Sequence, residues 1–155
     1  MILVKWGSSM KGILALSISL FLMCGNALAD NLDDNLFGRW RIVAVLGNTP
    51  TVSISPAQAR KLVGKYVVLN NQNAEFQGEH CVQPQYSDSQ EKTFDLFYSG
   101  YRSDPDEFSE RLPETLRAVR IECNQGVSLG EVYLFKNGSM VFEWLGYFLK
   151  AVRTP

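Results

Sequence analysis

His80 is the only histidine in the chain and stands next to Cys81; downstream of it the one other cysteine is Cys123. Neighbours on a strand project to opposite faces, so this adjacency does not make a Cys–His catalytic pair. A Ser–His–Asp arrangement would have to be built around His80, and no Gly-x-Ser-x-Gly elbow occurs. One histidine and two cysteines fall short of the three or four N/S ligands that zinc takes, and Glu79-His80 reads as a solvated turn. Asp104, Asp106, Glu107 and Glu110 read as an acidic helix start, where the helix dipole favours negative charge. No catalytic residue, metal site or cofactor is expected. A small hydrolase working through His80 is the weakest of the readings.

What the cysteines do depends on where the chain resides. Gly12 to Leu22 carries no charge, Lys5 and Lys11 flank it on the amino-terminal side, and Ala27-Leu28-Ala29 precedes Asp30. This is the three-part pattern of a cleavable signal peptide over residues 1–29, with the exported domain over 30–155 and a periplasmic destination. The run is shorter than the roughly 20 apolar residues of a membrane span. Cys24 is a poor lipidation site, because Met23 stands where a small residue is wanted. Met10-Lys11 would begin a more compact signal, so the start is either Met1 or Met10. After export Cys81 and Cys123 form an even pair in an oxidising compartment and are expected as a disulfide. Closing a loop of about 40 residues contributes a few kcal/mol.

The whole chain has a net charge of −1, and both basic residues of the signal segment are lost on export, leaving an acidic product. No basic block stands out along the sequence, which speaks against nucleic acid and anionic membrane as partners.

The elements that must position any site are mostly strands. Leu36 to Val45 alternates, with Trp40, Ile42 and Ala44 on one face, after a polar, frayed lead-in at Asp30 to Asn35. Ser55, Pro56 and Gln58 form a capping box with proline at the first helical position, and Gly64 ends that short helix. Strands are expected at Lys65 to Leu69, Ala74 to Gln77, Thr93 to Ser99, Thr115 to Cys123, Gly130 to Phe135, Ser139 to Leu145 and Tyr147 to Arg153. Asn137-Gly138 is a strong hairpin signal. Gly78 to Glu91 reads as irregular, and Asp104 to Leu112 as an acidic helical turn. Short strands joined by tight turns predict a mainly β chain: one antiparallel meander of about eight strands closed into a barrel. The rings expected to point inward are Trp40, Tyr66, Phe94, Tyr98, Phe142, Trp144 and Tyr147.

Gly38-Arg39-Trp40 in the first strand, with Arg153 near the end of the last, resembles the signature of the lipocalin-like (calycin) barrels. In that superfamily a Gly-x-Trp opens strand one and a basic residue of the final strand packs over the indole, a cation–π contact that closes one end. The Thr-Asp-Tyr loop motif of lipocalins has no counterpart here. The resemblance implies a barrel, with Trp40 and Arg153 as structural residues.

Two functions fit this picture. In the first, an exported, non-enzymatic, monomeric binding protein holds a small apolar or amphipathic ligand in its lumen through Tyr66, Phe94, Tyr98, Phe142 and Trp144. In the second, an inhibitor or immunity-type protein blocks a secreted or periplasmic enzyme through loop residues Gln83, Tyr86, Tyr101 and Arg102, because exposed tyrosine and arginine on a stiffened loop suit protein interfaces.

Overall fold

The computed structural model describes residues 32–155 apart from Val127; the signal segment and the lipidation candidate Cys24 lie outside the described residues. Eight antiparallel strands follow one another around a closed barrel in sequence order. They are β1 (Gly38–Asn48), β2 (Tyr66–Leu69), β3 (Asn73–Phe76), β4 (Glu79–Lys92), β5 (Thr115–Gly126), β6 (Gly130–Leu134), β7 (Ser139–Trp144) and β8 (Tyr147–Thr154). The ring closes where β8 pairs with β1, from Arg39 opposite Thr154 to Asn48 opposite Tyr147. The expected meander barrel is the fold observed.

Both barrel ends are stoppered by short helices. The lead-in is not frayed: Leu32–Leu36 forms a helical turn, α1, and Leu36 is fully buried. Trp40 fixes it, because the indole Nε1 donates to the Leu36 carbonyl at 2.9 Å. Arg153 lies over the same indole, 5.8 Å from its ring, and donates to the carbonyls of Asp34 and Phe37. Gly38 leaves room for that guanidinium: a Cβ there would sit 2.9 Å from Arg153 Nε, on a backbone with φ +145°. At the other end the capping box of Ser55 and Gln58 starts α2 (Pro56–Arg60). Ala59 and Leu62 from this segment join the lumen core.

The wall is not one regular alternation. Trp40 and Ile42 face the lumen, but a register shift between Ile42 and Ala44 turns the strand over, so Ala44 and Leu46 pack outside. The expected common face of Trp40, Ile42 and Ala44 is therefore broken by a β-bulge, which inserts one residue and reverses the facing up to a second register shift between Val45 and Gly47. A second correction concerns Gly78 to Glu91. Its polar, Ser- and Gln-rich sequence has little strand propensity, yet it forms β4, paired with β5 from Cys81 opposite Gly126 to Lys92 opposite Thr115. Cross-strand pairing outweighs propensity here.

The third correction is the largest. Thr93 to Ser99 is helical, not a strand: α3 (Thr93–Asp95) continues into a π-helical turn over Leu96–Gly100, and a 3₁₀ turn follows at Pro105–Glu107. This connection, residues 93–114, straps across the outside of the barrel. Its apolar side joins Leu46, Tyr133, Val141 and Phe148 from the wall in a second core, separate from the lumen.

The β7–β8 hairpin carries an unusual turn residue. Leu145 adopts φ 52° ahead of Gly146 at φ 93°, and Leu145 is 43% exposed. A side chain in left-handed backbone costs about 1–2 kcal/mol. Asparagine tolerates that region and suits two-residue hairpins, so Leu145→Asn should raise unfolding stability by about 1 kcal/mol. A urea melt that leaves stability unchanged or lowers it would contradict the strain.

Candidate functional site

The strap is clamped at its base and through its middle. At the base, the Thr93 backbone N–H donates to the Glu114 carbonyl at 2.9 Å and its hydroxyl donates to the Pro113 carbonyl. Asp104 caps the 3₁₀ turn by accepting from Asp106 N at 2.9 Å, with Pro105 buried beside it. Farther on, the Ser109 N–H donates to the Leu46 carbonyl at 2.8 Å, and Lys150 of β8 pairs with Glu110. Phe97 is the central rivet. It is fully buried and meets Phe108, Tyr133 and Phe148 edge-on, with ring centroids 5.0–5.3 Å apart. Gly47 lets Phe108 settle on β1, since a Cβ there would come within 2.6 Å of the phenylalanine ring.

Helical geometry then determines what faces away. Phe97 is turned inward, while Phe94 and Tyr98, an (i, i+4) pair on the flank of the same helical segment, reach solvent. Their rings are stacked, with centroids 5.2 Å apart and planes within 12° of parallel. They are 47% and 57% exposed, more than any other large hydrophobic side chains among the described residues. Beside them opens a cavity of about 350 Å³ whose walls include Lys92, Phe94, Asp95, Asp106, Arg111 and Leu112. Its lining combines apolar surface with charges of both signs. A smaller cavity of about 290 Å³ is lined by Asn48, Arg102, Asp104 and Glu107 among others.

The expected site residues separate into distinct places. Phe142 and Trp144 do line the lumen, where both meet Phe76 edge-on at 5.2 and 4.8 Å. Phe94 and Tyr98 come together, but outside the barrel. The expected strand alternation put them in the lumen, and the helical backbone puts them on the strap. Tyr66 also faces outward, with the Arg39 guanidinium 3.6 Å above its ring. The proposed lumen set therefore contains two residues rather than five.

The loop set is divided as well. Gln83 holds a left-handed backbone (φ 51°), and its N–H donates to the Gln72 carbonyl at 2.8 Å. Tyr86 is half-buried, packed 5.3 Å from Phe37, and its hydroxyl donates to the Asn70 carbonyl at 2.8 Å. Tyr101 is drawn into the second core, whereas Arg102 is exposed at φ 53° beside the smaller cavity. His80 is exposed, with Nδ1 3.6 Å from the Glu75 carboxylate, and Cys81 is joined to Cys123. Phe97, Arg111 and Leu112, which carry and line this site, stand outside the expected set. The spacing Phe94-x-x-x-Tyr98 interleaved with Phe97-x-x-x-Tyr101 was the available signal, since it fits a helix as well as alternation fits a strand.

Beneath the strap, the hydroxyls of Tyr101 and Tyr133 hydrogen-bond to each other, and Tyr133 donates to Glu131 at 3.4 Å. Burial raises the pKa of both phenols above the usual tyrosine value. The folded state thus keeps protons that the unfolded chain loses near pH 10. Stability should be unaffected by these groups below that pH and fall above it, by up to about 1.4 kcal/mol per pH unit for each tyrosine. Tyr133→Phe should flatten that alkaline slope in urea melts taken from neutral pH upward; an unchanged slope would assign it to other groups.

Comparison with family models, curated proteins and solved structures returns no match for this chain.

Proposed function

We propose that this chain is an exported, non-enzymatic binding protein of the inhibitor or immunity type, which captures a protein partner on the outer strap. One observation carries the reading: Phe94 and Tyr98 form a stacked, solvent-facing pair on a segment locked to the barrel from behind by Phe97. Aromatic anchors held rigidly before contact lower the entropic cost of docking and are the residues that dominate interface energetics. The likeness of Gly38-x-Trp40 and Arg153 to the calycin signature supports a related barrel scaffold, with the guanidinium lying over the indole. Binding sites grafted onto such scaffolds vary independently of the fold.

A second reading has its own support. The cavity of about 350 Å³ beside Phe94 lies within the range of small-molecule sites. It would place a small amphipathic ligand against the strap instead of in the lumen.

The test is native purification of the exported protein followed by mass spectrometry. Wild type should retain a stoichiometric protein, and Phe94→Ala/Tyr98→Ala should lose it without a change in melting temperature. Each truncation should weaken binding roughly thirtyfold, as about 2 kcal/mol per anchor implies. Retention by the double variant would overturn the proposal. A small molecule retained by wild type in place of a protein would establish the second reading.

A further inference from the structure

From Leu36 to Ala74 the chain carries five cationic residues and no acidic one. They are spread too thinly along the sequence to form a block, but the fold brings them onto β1, the start of β2 and the adjoining barrel end that α2 closes. Arg39 and Arg41 alternate outward on β1, where Arg41 is paired with Tyr66 of β2. Arg60 and Lys61 lie at the end of α2, and the chain leaving that helix is tied to the same part of β1. Gly64 N–H donates to the Ile42 carbonyl at 2.8 Å, and Ile42 N–H donates to the Lys65 carbonyl at 2.9 Å.

All five cations are exposed, and none has a carboxylate partner among the described residues. Their neighbours across the β8 seam, Val152 and Thr154, are uncharged. The nearest acid on the β2–β3 side is Glu75, which faces His80. Two less polar side chains stand among the cations: Val63 is 43% exposed and Tyr66 37%. By contrast, most acidic residues of the chain fall between Glu75 and Glu114, on β3, β4 and the strap. Charge is thus segregated around the molecule.

We infer that this basic wall is a docking surface for the anionic headgroups of a phospholipid bilayer. The outside of a barrel is convex and cannot enclose a small anion. It can lie against a planar, deformable anionic surface, with each cation reaching separate headgroups. Cations contribute independently near such a surface, while Val63 and the Tyr66 ring are of the kind that settle at the headgroup boundary. No helix among the described residues is long and apolar enough to cross a membrane. The inference is independent of what the strap binds.

The test is co-sedimentation of the exported protein with vesicles of phosphatidylglycerol and phosphatidylcholine, against vesicles of phosphatidylcholine alone. Binding should require phosphatidylglycerol. It should be lost as salt rises from about 0.01 M to about 1 M, which shortens the screening length from about 30 Å to about 3 Å. Arg60→Gln/Lys61→Gln/Lys65→Gln should weaken binding about a hundredfold, and Val63→Ser should weaken it less. Lys136→Gln, on the β6–β7 turn, should leave it unchanged. Equal sedimentation with both vesicle types, or full binding by the triple variant, would overturn the inference. So would binding to an oligonucleotide or to polyglutamate with no binding to the anionic vesicles.

Discussion

Phe97→Ala should cost about 3–5 kcal/mol of stability and release the strap while leaving the lumen core in place. The size of the loss follows from the setting: the ring is fully buried and meets aromatic neighbours contributed by the strap and by β6 and β8. Truncation removes its transfer free energy and leaves a void that a rigid barrel wall cannot close. The location matters as much as the size. Phe97 belongs to the outer cluster, whereas Trp40, Phe76, Phe142 and Leu149 belong to the lumen cluster. Amide exchange should therefore rise over residues 93–112 and much less in β1 and β8. Partner capture should fall as well, although Phe94 and Tyr98 are untouched, because anchors on an unlatched segment must be ordered on binding. A loss of under about 1 kcal/mol, or unchanged exchange in the strap, would show that the outer cluster does not hold it.

That division into two cores explains how much of the molecule was legible from its sequence. The second half was readable almost residue by residue. Val119, Ile121 and Cys123 alternate with Ala118, Arg120 and Glu122 in the expected sense, and Asn137-Gly138 makes the expected hairpin, with Gly138 at φ 76°. These strands have two partners each, so periodicity and pairing agree. The strap was not readable. Its short apolar run suits either a half-buried strand or one helical face, and local pattern cannot choose between them. The choice is made by Phe97, which finds a pocket on the outer wall only if the backbone is helical. The bulge at Ile42–Ala44 was hidden for a related reason. One inserted residue sends Ala44 and Leu46 outward, which is favourable only because the strap waits there to cover them.

The basic wall was invisible for the opposite reason: its residues are simple to name and scattered in order. Lys65 comes alongside Arg41 and Ile42 only because β2 returns beside β1 after a long connection through α2. Three of the five residues named for the lumen, Tyr66, Phe94 and Tyr98, lie outside it by the same token, while Phe142 and Trp144 lie within. Aromatic type marks a side chain as worth burying or worth displaying. Only the tertiary fold decides which, and it buries Phe142 while displaying Phe94.

Replacing both half-cystines, Cys81→Ser/Cys123→Ser, should lower stability by about 4 kcal/mol, the loop-closure term for a 42-residue separation. The bond links neighbouring strands, but its position is what makes it matter. β3 and β4 pair over only four residues, Asn73 to Phe76 opposite Val82 to Glu79, so that corner of the wall has few ladder bonds of its own. Two backbone features bring the sulfurs together. The left-handed Gln83 reverses the facing of β4 between Pro84 and Cys81, turning Cys81 into the lumen. Gly126, opposite Cys81, permits the close approach of β5, since a Cβ there would lie 1.9 Å from the His80 carbonyl oxygen. The loss should therefore be felt first as opening of the β3–β4 corner, read by amide exchange at Ala74 to Cys81, with the strap still protected. In the untreated protein neither sulfur should react with an alkylating reagent until a reductant is added. Free reaction of both without reductant or denaturation would show that Cys81 and Cys123 are not joined, and would overturn this account of the β3–β4 corner.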